Sequence, residues 1–208
     1  VTEQFVMLSV AACFAAFGVL TLMRKAISNA VKSRLTAEEM QKLAQDQAHH
    51  DALTGLPNRR IFFAELEDLL QSSNASKPFA LAIIDLDGFK QINDRFGHAC
   101  GDKLLVAVAG RLRKAVRKSD VVARLSGDEF VILLPHVDET DSVERLGRKL
   151  LDSVARSYKL DGRRVEIHAS LGISFYPDDA QAADGLLAQA DAAMYRAKAV
   201  GGNAYRLA

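Results

Sequence analysis

Apolar positions are spread very unevenly along this chain. From Phe5 to Met23 run 19 residues without a charge, with only Ser9 and Thr21 polar. A helix of that length rises roughly 28 Å, close to the hydrocarbon thickness of a bilayer, and this one has no polar face. The pattern predicts a transmembrane helix over 5–23. Glu3 precedes the run while Arg24, Lys25, Lys32 and Arg34 follow it. That order disfavours a cleaved secretory leader, and the positive-inside rule directs everything downstream to the cytoplasm. Residues 26–50 lack Pro and Gly and carry Ile27, Val31, Leu35, Met40 and Leu43 at spacings of four, four, five and three. This is a helical stripe with an imperfect heptad, readable as a short signalling coiled coil or as a plain spacer helix.

From Asp51 the pattern changes to alternating helices and strands. The turn-rich stretch Asp51–Asn58 leads into an amphipathic helix predicted over 59–72, with Asn58 as its cap. Phe79–Leu86 is an almost unbroken apolar run, the mark of a central strand covered on both faces. Helical periods follow at 88–96 and 100–117. Val121–Leu125 and Phe130–Leu134 read as strands flanking Ser126-Gly127-Asp128-Glu129, a hairpin signal. A helix over 141–157, a strand pair around 164–175 and a helix over 183–199 complete an α+β domain, a mixed α/β sheet with flanking helices, spanning 51–208.

Composition narrows the function classes. With 27 basic and 26 acidic residues the net charge is +1, which gives no support for nucleic-acid binding by bulk electrostatics. Aromatic residues at 7% with no Trp argue against base-stacking platforms. Cys13 and Cys100 alone exclude a disulfide scaffold and a four-cysteine zinc site. The chain opens on Val1 rather than Met, so further sequence is expected upstream.

The candidate chemistry lies at the end of the apolar strand, in Asp85-Leu86-Asp87. Open sheets place ligands beyond the carboxyl ends of such strands, although a lone acid there is as well explained by solvation. Asp128 and Glu129 at the hairpin tip change the balance, because adjacent strand residues face opposite ways and one acid can join Asp85 on a metal. Hard oxygen donors without a Cys or His cluster favour Mg²⁺, completed by substrate phosphates. Gly88, just before a helix, leaves backbone N–H groups free for phosphate. Together these features point to metal-assisted phosphoryl or nucleotidyl transfer.

Ile84-Asp85-Leu86-Asp87-Gly88-Phe89-Lys90-Gln91-Ile92-Asn93-Asp94-Arg95-Phe96-Gly97-His98 with Gly101-Asp102, followed by Arg124-Leu125-Ser126-Gly127-Asp128-Glu129-Phe130, resembles the GGDEF family of diguanylate cyclases. Asp51–Arg59 and Ala190-Asp191…Met194-Tyr195…Ala197-Lys198 are similar to that family's first and last motifs. The resemblance covers residues 51–205 and implies a GGDEF, nucleotide-cyclase-like fold. It implies that Asp85, the Leu86 carbonyl and Asp128 hold Mg²⁺ (or Mn²⁺) against GTP. Glu129 would be either a general base for the 3′-hydroxyl or a ligand to a second metal, with Asp128 beside it in catalysis. Asn93 and Asp102 would read guanine, Gly88, Phe89 and Lys198 would hold the triphosphate, and His98 would line the pocket. A homodimer is implied, since each domain supplies one half-site and the linker can then control activity through proximity. With the apolar span, the implied location is the bacterial inner membrane.

Two positions depart from the family pattern. Ser126 stands where the family usually has Gly, which is strained if the turn needs a positive φ there. Gly202 stands where it usually has Arg, leaving Lys198 as the local cation. Arg117-Lys118-Ser119-Asp120, five residues before the signature, resembles the family's product-inhibition site; Arg117 and Asp120 would bind cyclic di-GMP, with Arg148 completing the site. The expected activity is thus a membrane-anchored, product-inhibited diguanylate cyclase. The alternatives are a catalytically silent cyclic di-GMP receptor, and a cyclase that also takes ATP, which an acid at Asp102 disfavours.

Overall fold

The computed structural model describes residues 23–25, 49–72, 77–137 and 140–208, in two units, Val1–Gln47 and Ala48–Ala208. The transmembrane span expected over 5–23 and the linker seam of 26–50 lie outside the described residues, save Met23 and His49–His50. Among the described residues no helix is long and apolar enough to cross a membrane.

The second unit runs α1 (Arg59–Ser72), β1 (Phe79–Asp87), α2 (Phe89–Phe96), α3 (His98–Ala115), β2 (Val121–Ser126), β3 (Glu129–Leu134) and α4 (Thr140–Ala155). It continues through β4 (Tyr158–Leu160), β5 (Arg163–Val165), β6 (His168–Tyr176), α5 (Ala183–Ala199) and β7 (Tyr205–Leu207). Five strands form one mixed sheet in the order β2-β3-β1-β6-β7, antiparallel except for the β6–β7 pair. The apolar run Phe79–Leu86 is therefore the middle strand, as its sequence predicts, and residues 79–84 are all buried.

Alternation along β1 divides the core in two. Ala80, Ala82, Ile84 and Leu86 face one layer, with Leu104, Val108 and Leu112 of α3 and Leu150 and Val154 of α4. Phe79, Leu81 and Ile83 face the other, with Phe62 and Leu66 of α1 and Leu186, Ala190 and Met194 of α5. Asp85 and Asp87 continue the odd-numbered row, so both acids emerge on the α1/α5 side of the sheet.

Gly172 of β6 sets how closely α5 lies on that face. A Cβ at Gly172 would come 1.9 Å from the Ala190 carbonyl oxygen and 2.2 Å from the Met194 nitrogen. No side chain fits there, so backbone meets backbone and the last turn of α5 is brought over the end of β1.

The expected strand pair around 164–175 requires correction. β5 pairs with β4 in a separate two-stranded sheet, while β6 pairs with β1 and β7. A turn at Asp161 and Gly162, both with positive φ, joins β4 to β5, and the polar residues at 159, 161, 163 and 164 hide that hairpin from a hydrophobic-pattern reading. The helix expected over 100–117 ends at Ala115, which leaves Arg117 in the loop before β2. The helix expected from 88 begins at Phe89, with Gly88 as its left-handed N-cap at φ 75°.

Candidate active site at the end of the central strand

Asp85 is the last residue of β1 paired to β3, and its Cα partner there is Glu129. Directly opposed residues on neighbouring strands present side chains to the same face, so the two carboxylates share one side of the sheet. Asp128 precedes Glu129 in the hairpin turn. Asp85 itself is largely buried, with 15% of its side chain exposed, and the Lys198 ammonium from the last turn of α5 lies 2.6 Å from its Oδ1. Burial pushes the Asp85 carboxyl above its ordinary value, the Lys198 ammonium opposes that rise, and the charges of Asp128 and Glu129 add to it. Asp85 thus feels both neighbouring acids, and the Lys198 ammonium sits against it.

The donor set is all oxygen, which suits a hard divalent ion such as Mg²⁺. No group of three His, Cys, Asp or Glu side chains able to hold a metal occurs among the described residues. An ion at Asp85 and Asp128 would therefore complete its shell with backbone, water or phosphate oxygens. Leu86, whose carbonyl is one candidate, is the first residue of β1 beyond the β3 ladder, and its side chain is buried.

The hairpin carrying Asp128 and Glu129 is held by Arg124. Its guanidinium donates to the Gly127 carbonyl at 2.9 Å from Nε and 2.6 Å from Nη2, and to Asp51 Oδ1 at 2.9 Å from Nη1. Asp51 also accepts from the backbone N–H and the hydroxyl of Thr54, at 2.8 and 2.6 Å. The pair is mostly buried, with 12% and 24% of the two side chains exposed. Burial alone would raise the Asp51 carboxyl, but the bonds from Thr54 and Arg124 win and hold it below its ordinary value. Its charged form is favoured by folding, so the contribution is present at neutral pH and disappears as pH falls through that lowered value. Asp51→Asn is expected to lower stability at pH 7 by about 1–2 kcal/mol, with the deficit shrinking in acid; urea unfolding at the two pH values checks this. Residues separated by 73 positions make this staple, and sequence spacing carried no sign of it.

Positive φ in the signature turn falls on Gly127, at 44°, whereas Ser126 ends β2. Ser126 is therefore free of the strain a left-handed conformation would impose. Its hydroxyl instead donates to Glu129 Oε2 at 2.8 Å. Gly202, at φ 73°, faces Asp87: a Cβ there would lie 2.6 Å from Asp87 Oδ2, the atom that also accepts the Asn203 N–H at 2.9 Å. Ser170 donates to the other oxygen of Asp87 at 2.7 Å. Asp87 thus fastens the turn after α5 to the end of β1, and that turn has no room for a side chain at 202 in this arrangement.

Asn93 of α2 lies against Gly101 of α3, the residue before Asp102. A Cβ at Gly101 would lie 1.9 Å from Asn93 Oδ1, and that oxygen is buried without a hydrogen-bond partner. Buried unsatisfied polar atoms are rare, which singles out this amide among the described residues. Asp102 and His98 are exposed on the first turns of α3, Phe89 is buried, and no side chain caps α2 at Gly88.

A separate cavity of about 220 Å³ lies below the loop after α3, lined by Arg117, Asp120, His136, Arg145 and Lys149 among others. Asp120 is buried and accepts the Arg117 N–H at 2.8 Å. Arg148 does not line this cavity. It pairs with Glu144 at 3.0 Å and borders the adjoining cleft, so Arg145 and Lys149, which spacing overlooked, are the cations facing Arg117.

Comparison with known proteins places this arrangement. The family model described as diguanylate cyclase, GGDEF domain, matches residues 48–204. The bifunctional diguanylate cyclase/cyclic di-GMP phosphodiesterase MucR of Pseudomonas aeruginosa is 45% identical over 159 residues, 76% of this chain and 23% of MucR. Diguanylate cyclase TpbB of the same organism is 43% identical over 164 residues, 78% of this chain and 38% of TpbB. The chain thus spans well under half the length of these relatives. Among solved structures, the TpbB GGDEF domain has a TM-score of 0.75 at 42% identity, covering 77% of this chain and 94% of that one. The coiled coil and GGDEF domain of DgcB from Caulobacter crescentus, in complex with c-di-GMP, has a TM-score of 0.76 at 28% identity, covering 89% and 97%.

Proposed function

The chain belongs to the diguanylate cyclase GGDEF domain family, and from that membership we propose that it condenses two GTP molecules into cyclic di-GMP with release of two pyrophosphates. The observation that carries this reading is the trio Asp85, Asp128 and Glu129 at the end of the central strand, with the Lys198 ammonium 2.6 Å from Asp85. In this reading Asn93 and Asp102 take the guanine edge, the amide as acceptor and donor and the carboxylate as acceptor. The backbone at Gly88 and Phe89, with Lys198, holds the triphosphate, and His98 flanks it. Asp85, the Leu86 carbonyl and Asp128 would hold a divalent cation, which when bound offsets the triphosphate charge. Glu129, oriented by the Ser126 hydroxyl, accepts the proton of the 3′-hydroxyl as that oxygen attacks the α-phosphorus of the opposing GTP. Each α-phosphate exchanges its bond to the bridging oxygen for one to the incoming 3′-oxygen, and pyrophosphate departs.

Because one domain holds one GTP, the reaction needs two domains face to face. The apolar stripe from Ile27 to Leu43 supports a dimerising linker, and the uncharged run 5–23, followed by four basic residues, supports an anchor in a bacterial inner membrane with the domain in the cytoplasm. A second reading, a cyclic di-GMP receptor with weak or no turnover, is favoured by Gly202, which removes a cation from the triphosphate side. Incubating the protein with GTP and Mg²⁺ and identifying products by mass spectrometry tests the choice: cyclic di-GMP supports the cyclase, and unchanged GTP rejects it.

The cavity at Arg117 and Asp120 supports feedback by the product. Arg117→Ala is expected to weaken cyclic di-GMP binding roughly tenfold or more, as loss of one charge-assisted bond implies, with the initial rate unaltered. Calorimetry measures the first and product-free initial rates the second; unchanged affinity would reject the site.

A further inference from the structure

The Asp85–Lys198 pair has a consequence for what Asp85 accepts. Lys198 Nζ lies 2.6 Å from Asp85 Oδ1, and 37% of the lysine side chain is exposed against 15% of the aspartate. Lysine stems are flexible and their heads move toward stronger anions, whereas Asp85 is fixed at the end of a buried strand. A divalent ion bound to the same carboxylate, with metal–oxygen distances of roughly 2.1 Å, would meet the ammonium at close range. An ion on the same carboxylate and the ammonium repel one another at that range, so a bare ion binds against Lys198 or at the cost of displacing it. A metal carried on a nucleotide differs, because the triphosphate arrives with it and gives the ammonium a new anionic partner.

We infer that Lys198 is the resident counter-ion of Asp85 in the free protein, and that it makes the site select a divalent cation bound to a nucleoside triphosphate over the bare cation. Lys198 thereby couples metal and nucleotide: each raises the affinity of the site for the other, by equal factors, through the same ammonium. Three features make the exchange possible. Gly172 brings the α5 backbone down on β6, so the lysine reaches the strand end. Asp128 and Glu129 keep negative charge beside Asp85 when Lys198 leaves. Asp87 secures the turn that follows α5, so the lysine side chain moves while its helix stays.

The nucleotide half of this inference rests on the proposed cyclase reading, whereas the metal half does not. The test is Mn²⁺ binding to the full chain, measured by electron paramagnetic resonance with and without a non-hydrolysable GTP analogue. Lys198→Met is expected to bind Mn²⁺ alone about tenfold more tightly than the unaltered protein, and to lose most of the enhancement that the analogue gives. Asp85→Asn should abolish the tighter binding in the Lys198→Met background, which locates it. Lys198→Gln, which keeps a polar head, guards against misfolding and should behave as Lys198→Met does. Bare-metal affinity that is unchanged or lower in both lysine variants overturns the inference. If the unaltered protein yields no cyclic dinucleotide from GTP, the cyclase reading fails, while the metal-only titration still decides for or against Lys198.

Discussion

Asp128→Asn is expected to lower turnover by roughly 10²–10³-fold while leaving the melting temperature unchanged or slightly raised. Asparagine keeps the size and shape of the side chain, and the turn conformation is set by its neighbours: Gly127 has the positive φ, and Arg124 grips the Gly127 carbonyl. Asp128 is partly buried, but the asparagine side chain has the same shape, so the exchange removes almost no burial. Its charge is a different matter. Asp128 raises the Asp85 carboxyl by repulsion, so neutralising it relieves a small cost of the folded state. In the proposed reading the same charge would help hold a divalent cation, which in turn would offset the developing negative charge of the reacting phosphates, and asparagine does not supply it. Product formation by mass spectrometry, set beside a thermal melt, separates the two effects. Near-normal turnover would reject the placement of Asp128 in the site, and a large fall in melting temperature would recast it as a structural residue.

What the sequence could disclose was whatever is written in local pattern. The middle strand was legible because six consecutive buried residues leave an apolar run. The signature hairpin was legible because a glycine and acids stand between two β-branched and aliphatic segments. Long-range closeness leaves no such trace. Gly172 reads as an unremarkable glycine until α5 is found 1.9 Å from where its Cβ would be. Asp51 and Arg124 lie 73 positions apart and meet only because the opening turn passes beside β2. That Arg148 borders the adjoining cleft rather than the cavity at Arg117 has a geometric cause. Successive helical residues are about 100° apart, so Ser142, Arg145, Leu146 and Lys149 of α4 form the stripe facing the cavity while Arg148 turns toward Glu144 and Tyr205. An offset along the chain fixes the helix but not the face. The β4–β5 hairpin escaped for another reason: with two of its six residues buried, burial wrote almost nothing into its sequence.

Gly101→Ala is expected to raise the KM for GTP by roughly 10–100-fold with kcat and stability little changed, the size that one or two lost hydrogen bonds to the base imply. In an exposed helix interior this substitution is normally stabilising by about 1 kcal/mol. Here the new methyl would lie 1.9 Å from Asn93 Oδ1 and 3.2 Å from Phe89 Cζ. The nearest obstacle is the end of a side chain rather than backbone, so the Asn93 amide swings away and the two helices need not part. The gain in helix propensity and the cost of moving the amide largely cancel in stability. They do not cancel in recognition, because the displaced amide is the group whose buried oxygen has no partner within the protein. A base-reading amide moved by even 1–2 Å loses its hydrogen bonds, and discrimination between GTP and ATP should relax with it. The decisive measurement is a double-mutant cycle. If Gly101 acts through Asn93, then Gly101→Ala adds nothing to the KM defect of Asn93→Ala, and the two losses are strongly non-additive. Additive losses would mean that Gly101 serves the site by some other route, and an unchanged KM in both single variants would remove Asn93 from guanine recognition altogether.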